Sequence, residues 1–178
     1  HATALYQFDA ENDKLSETPL PQGGLDLIAD ETGQFWIAGT DGKLHSGGKS
    51  YEIGLAEPGT QLAILSNERL AIIGGQQLAV FHRAKGEIVQ TIDLSANATA
   101  LAADPTGDWL VVGHQNGQVA VYESEDKDEF VLSEADKLHS GAVTSLLFEP
   151  EELRFFSAGA DLKFCLLYTS DAADEVLG

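Results

Sequence analysis

The stretch LHSGAVTSLLFEPEELRFFSAGAD, residues 138–161, decides the fold. It holds a short apolar run from Val143 to Phe148, a polar turn around Pro150, and a second apolar run that stops at Gly159. Apolar runs this short, closed off by turn residues, read as strands and not as helices. A lone pair of strands is not a domain, so the question is whether the pattern recurs.

It recurs three times upstream. GLDLIADETGQFWIAGTDGKLHS begins at Gly24, QLAILSNERLAIIGGQQLAVFHR at Gln61, and ATALAADPTGDWLVVGHQNGQVAVYES at Ala98. The fourth copy is AVTSLLFEPEELRFFSAGADLKF, from Ala142. Each runs apolar strand, polar turn, second strand ending in Gly, turn, third strand. The marker glycines Gly39, Gly74, Gly113 and Gly159 lie about 35 to 46 residues apart, which brackets the period of a β-propeller blade. Asp41-Gly42 and Asn116-Gly117 are hairpin signals between second and third strands. Weaker fourth strands are expected at residues 87–94 and 129–133, and residues 4–9 read as the closing strand of an earlier blade. Alternation in the third copy sends Val119 and Val121 one way, and Ala120 and Tyr122 the other, as half-buried strands require. The expected fold is all-β: an incomplete propeller of four-stranded antiparallel blades, about three nearly complete, with partial blades at both ends. At 178 residues the chain has room for little more than four blades of roughly 40 residues, the low end of the four to eight that closed propellers take, and the partial blades at both ends argue against closure.

Residues 138–161 resemble the WD-repeat pattern, in which a His precedes V-x-x-L-x-F-x-P, a hydrophobic strand, and S-x-x-x-D. The third copy is similar, with Pro105 in the proline position and Tyr122 where that family usually has Trp. No Trp-Asp pair occurs, and the second copy has Ser66-Asn67-Glu68 in place of a Pro-Asp-Gly turn. The resemblance covers residues 1–164 and implies a platform for protein partners. It also implies that His139, Ser157 and Asp161 form a buried hydrogen-bonded network tying one blade to the next.

By residue type alone those three side chains would also suit nucleophilic catalysis, but no nucleophile elbow or oxyanion-donor pattern accompanies them. His82 and His114 read as edge or turn residues, and His1 and His45 as isolated. None has metal-ligand spacing. The acidic run at residues 123–129, broken by Lys127, lacks the Gly-punctuated order of a calcium loop. Gly23-Gly24, Gly47-Gly48 and Gly74-Gly75 stand outside any phosphate-loop context and read as turns. Trp36 and Trp109 fall in second strands, where large aromatics fill space between blades. No catalytic, cofactor or metal site is expected.

A net charge of −19 with ten basic residues argues against nucleic acid, whose binding draws on clustered Lys and Arg. No apolar run approaches the roughly 18 residues of a membrane span. The expected partners are other proteins and the remaining blades of the same propeller. The chain opens on His1 and contains no Met, so a start and any targeting segment are expected upstream, and the compartment stays unread.

At the other end, CLLYTSDAADE at residues 165–175 back-translates in one frame to a transposon-end adapter used in sequencing libraries. Residues 165–178 are therefore expected to be a non-native tail, with the blades confined to residues 1–164. Cys165 is the only cysteine, so on this reading the natural part has no thiol and no disulfide. A functional rival keeps its place: a catalytic or ligand-binding propeller, lactonase-like or quinone-dependent, with its site in a central channel. That class needs polar side chains converging from several first strands, and LDLIA, QLAIL, TALAA and VTSLLF are plain.

Overall fold

The structure, a computed structural model, describes residues 3–20, 23–65, 68–124, 129–149 and 154–168. It is all-β in antiparallel sheets, as the repeat predicts. A hairpin of β1 (Thr3–Asp9) and β2 (Lys14–Leu20) comes first and is called blade I. Blade II holds β3 (Gly24–Ala29), β4 (Phe35–Gly39), β5 (Lys43–Ser46) and β6 (Lys49–Glu52). Blade III holds β7 (Gln61–Ile64), β8 (Arg69–Gly74), β9 (Gln77–His82) and β10 (Glu87–Asp93). Blade IV holds β11 (Ala98–Ala103), β12 (Trp109–His114), β13 (Gln118–Ser124) and β14 (Phe130–Lys137). Blade V has three strands among the described residues, β15 (Val143–Phe148), β16 (Arg154–Gly159) and β17 (Phe164–Tyr168).

Strand order within blades II to IV follows the chain, each strand pairing with the next. The first strands β3, β7, β11 and β15 contact one another in series. The blades therefore stack face to face along the chain. Three apolar clusters fill the interfaces. Trp36 and Leu44 of blade II meet Leu70, Ile72 and Phe81 of blade III, with Trp36, Tyr51 and Phe81 packed ring to ring at 5.3 to 5.8 Å. Ile73, Leu78 and Val80 of blade III meet Leu110, Val112, Tyr122 and Phe130 of blade IV. Trp109, Val111 and Val121 of blade IV meet Val143, Phe148 and Phe155 of blade V. Both tryptophans thus fill space between blades.

The sequence reading needs three corrections here. Residues 4–9 do not close a blade, because β2 follows β1 and pairs with it along its whole length. The strand expected at residues 129–133 runs on to Lys137. Nor are β8 and β12 half-buried: every residue of both is buried. Alternation in β13 chooses a neighbour and not solvent, since Ala120 and Tyr122 face blade III while Val119 and Val121 face blade V.

Polar side chains that span two blades fix the spacing the apolar clusters fill. Gln61 on β7 donates from Nε2 to the Thr99 carbonyl at 3.3 Å and accepts the Leu101 N–H at 2.9 Å, bridging to β11. Gln90 on β10 does the same to both backbone groups of Phe130 on β14, at 2.8 and 2.9 Å. Each amide stands in for a strand-pairing step where two sheets stack and no ladder can form. Thr99 Oγ1 donates to the Val143 carbonyl at 2.7 Å, joining blade IV to blade V.

On blade V the face turned away from blade IV has no described neighbour. Phe156 is exposed there beside Leu166, its partner on β17, and Phe164 is 83% exposed. β17 runs from Phe164 into Cys165 and ends at Tyr168, while residues 169–178 of the expected tail lie outside the described residues. Exposed aromatics on a sheet face draw association. The purified chain is expected to bind a hydrophobic dye and to sediment as more than a monomer. The double substitution Phe156→Lys and Phe164→Lys should reduce both signals; dye binding unchanged by the pair would place the sticky surface elsewhere.

Candidate functional site

His139 sits in the connection between β14 and β15, held by its own N–H on the Gly117 carbonyl of blade IV at 3.1 Å. Gly117 closes the β12–β13 hairpin at φ 86°. A Cβ there would also run into the His139 carbonyl, so glycine is required twice over. From this anchor the imidazole points into blade V. Its Nδ1–H donates to Asp161 Oδ1 at 3.0 Å, and its Nε2 accepts the Ser157 hydroxyl at 2.9 Å. Asp161 also accepts the N–H groups of Ser140 and Lys163.

Gly159 makes room for this arrangement, since a side chain there would strike the His139 ring and the Asp161 carboxylate. The Ser140 N–H above all, with His139 and Lys163, holds the Asp161 carboxyl at about 2 against the desolvation that opposes it. His139 is 2% exposed and Ser157 1%. The three residues are brought together, and the ring ties the turn of blade IV to the second strand of blade V.

Chemically this is a Ser-His-Asp chain with the polarity of a general-base triad. What it lacks is access. The Ser157 oxygen faces the imidazole inside a packed strand pair, with no open side from which a carbonyl could approach.

A second set of the same residue types lies in blade II. His45 Nε2–H donates to Asp41 Oδ1 at 3.0 Å and its Nδ1 accepts the Ser50 hydroxyl at 2.9 Å. Gly39 leaves the room, as Gly159 does in blade V. His45 is thus not isolated, contrary to the reading from sequence. Its partners come from the hairpin before it and the strand after it, a proximity that only the folded blade creates.

His114 is also corrected. It is the last residue of β12, fully buried, with Nδ1–H donating to the Ala96 carbonyl at 3.0 Å. Burial pushes its pKa down, partly offset by that carbonyl. His82 ends β9 and is half-buried. Among the described residues no group of His, Cys, Asp and Glu could hold a metal ion. The central part of the acidic run, residues 125–128, lies outside the described residues.

No family model matches the chain. It is 33% identical over 110 residues to Actin-interacting protein 1-2 of Arabidopsis thaliana, a match covering 62% of the chain and 18% of that protein. To Protein groucho of Drosophila melanogaster it is 36% identical over 77 residues, 43% of the chain and 10% of that protein. The chain therefore spans less than a fifth of either relative. A chain in the crystal structure of the mitotic checkpoint complex superposes with a TM-score of 0.72 over 89% of this chain and 53% of its own length, at 14% identity, which shows the fold. The chain is a run of β-propeller blades, similar to those of WD-repeat proteins.

Within the blades the turn residues have distinct tasks. Asp41 receives His45 and the Lys43 N–H. Asn116 caps its hairpin by accepting the Gln118 N–H at 3.0 Å, and Gly117 receives the His139 connection. Sequence reasoning missed Arg83, Gln61 and Gln90. Arg83 reaches back from the β9–β10 turn to Asp30 and Glu31 of blade II at 2.8 and 2.9 Å. No local motif marks any of the three, because their partners lie about 40 to 50 residues away.

Replacing the His139 side chain would leave Ser157 and Asp161 buried without their partner. His139→Ala is expected to lower unfolding free energy by about 1–3 kcal/mol in urea titrations. An unchanged midpoint would show that the network contributes nothing. Asp161 adds a pH test. Its folded pKa lies below its ordinary 3.8, so its contribution is complete above that value and fades as pH falls towards about 2. Asp161→Asn should flatten the loss of stability over that window; an identical acid profile would exclude the carboxylate as its source.

Proposed function

We propose that these blades serve as a non-enzymatic interaction scaffold, part of a propeller platform within a larger protein that binds other proteins through loops and strand edges. The carrying observation is the burial of His139 and Ser157. The one chemistry-bearing constellation predicted from sequence is spent on joining blades, which leaves the surface to do the work. Repeat architectures suit that work because a series of rigid sheets presents a broad, preformed surface. The relatives support it: one is named for its interaction with actin, and the fold neighbour is a chain of a checkpoint complex. Among the described residues no helix is long and apolar enough to cross a membrane. The acidic balance favours partners with basic surfaces over nucleic acid.

Affinity capture with the full chain, followed by reconstitution of each captured protein with purified chain, tests the reading. A stoichiometric complex that forms with His139→Gln as well as with wild type is the expected result. Turnover of a small molecule that disappears in Ser157→Ala at unchanged melting temperature would overturn it.

A further inference from the structure

The two Ser-His-Asp sets match in their bonds and differ in their access to solvent. In blade V the hydroxyl is shut in, with Ser157 1% exposed. In blade II the ring is buried and the serine is not: His45 is 7% exposed, while Ser50 is exposed on β6. β6 is the outer edge strand of its sheet, and the Gly47-Gly48 turn beside it is open. A side chain at Gly48, two residues before Ser50, would meet nothing within 4 Å. A reagent can reach this hairpin from solvent without parting any blades.

The order of the bonds sets the direction of proton transfer. Asp41 lies in a turn closed by the Gly42 N–H on the Gly39 carbonyl at 3.1 Å, and it accepts the Lys43 N–H at 3.2 Å. Burial opposes its ionisation, but the bonds from His45 and Lys43 outweigh this and hold the carboxyl below its ordinary range. An ionised Asp41 keeps the proton of the neutral ring on Nε2, 3.0 Å away. Nδ1 is left with a lone pair, to which the Ser50 hydroxyl donates at 2.9 Å. Gly39 holds the arrangement in place, since a side chain there would strike both the Asp41 carboxylate and the ring. A hydroxyl beside a base that an acid positions can lose its proton as it attacks.

We propose that Ser50 is an acylation site, a nucleophile that takes the acyl group of a small neutral activated ester, with His45 as its general base and Asp41 as the residue that positions the ring. In the transfer the Ser50 oxygen bonds to the carbonyl carbon as its proton passes to His45 Nδ1. The bond from that carbon to the leaving oxygen then breaks, the proton goes on to the leaving oxygen, and Ser50 is left as an ester. Nothing is oxidised or reduced. A neutral donor is favoured because the chain carries a charge of −19, which holds anions off. Ser50 lies within a strand and not at a nucleophile elbow, so one transfer is expected and not turnover. The scaffold reading neither supports nor needs this chemistry.

The chain holds its own controls. Ser157 has the imidazole without the exposure. Ser95 has the exposure without the imidazole, its hydroxyl donating to Gln118 Oε1 at 2.7 Å. Ser50 has both. Comparing the three within one sample separates activation by a neighbouring base from simple accessibility.

Treating the full chain with p-nitrophenyl acetate and mapping the acetylated residues by peptide mass spectrometry tests the site. Ser50 is expected to be acetylated at least about a hundredfold faster than Ser95, the low end of what a positioned base contributes, and Ser157 to stay unlabelled. In denaturing urea the three serines should react alike. His45→Ala should bring Ser50 down to the Ser95 rate. Imidazole added to that variant should restore part of the difference, which a merely structural role of the ring would not allow. Asp41→Asn should slow the labelling of Ser50, and Asp41→Glu should recover part of the loss.

Acetylation of Ser50 no faster than that of Ser95 in the native chain overturns the proposal. So does an excess at Ser50 that survives denaturing urea, or one that persists undiminished in a folded His45→Ala chain. Labelling of Ser157 as fast as Ser50 in the native chain would do the same, because exposure would then not separate the two sets. Unchanged labelling in Asp41→Asn would overturn the role given to that acid. If His45→Ala fails to fold, the comparison of Ser50, Ser95 and Ser157 in a single digest carries the test, since it needs no variant.

Discussion

Every other feature of this chain depends on the burial of its middle strands on both faces. β8 and β12 have no solvent side, so neither blade III nor blade IV can be stable as a sheet alone. Each face is the floor of a cluster completed by the next blade. At about 25 cal/mol per Å² of apolar surface removed from water, the energy lies between sheets, and the ladders within them mainly satisfy backbone groups that burial would otherwise leave unpaired. Stability in such a stack is a property of neighbours. The exposed apolar face of blade V is the same kind of surface without its neighbour.

Face-to-face packing by itself tolerates sliding, because apolar contact is not directional. Direction comes from the side chains that cross the interfaces. Gln61 and Gln90 each bind a donor and an acceptor of the next blade, which fixes one strand's height against another's. Arg83 does this at the turns between strands. Its partner Asp30 stays ionised far below the usual carboxylate range: burial opposes that, but bonds from Thr32, Trp36 and Gln34 outweigh it. The marker glycines belong to the same machinery. Gly74 has backbone of the connection from blade II against it, Gly113 has Val143, and Gly39 and Gly159 each have a His–Asp pair.

That division explains what was legible in the sequence. Strand positions and blade order could be read because they rest on local chemistry: short apolar runs, Gly and Asn at hairpins, and a period that recurs in chain order. Hydrophobic pattern alone could not tell a strand half-buried from one buried twice. Both alternate or run apolar, and only the presence of a neighbour on each side separates Val121 from Tyr122 as members of different clusters. β2 escaped notice because KLSETPL carries polar residues and a Pro in place of an apolar stripe, and its strand character comes from pairing with β1. His114 was misplaced for a similar reason. A His after Gly113 looks like a turn residue until the ladder of β12 is seen to include it.

The two Ser-His-Asp sets, at His45 and His139, show why residue type does not decide function. In both, the acid stands two residues after a marker glycine and the ring fills the space that glycine leaves. They differ in where the His comes from. His45 belongs to β5 of the same blade and takes its hydroxyl from β6, so the set braces one sheet. His139 arrives from the connection out of blade IV and takes its hydroxyl from β16 of blade V, so the set joins two. A nucleophile must have one face open to the reacting carbon and donors waiting beyond it. A brace must have neither, because every open side admits water that competes for its hydrogen bonds. The burial of His139 with Ser157 meets the second requirement, and it is burial, not the identity of the three residue types, that assigns that set to holding blades together, whereas the other set, whose Ser50 is exposed, braces a single sheet.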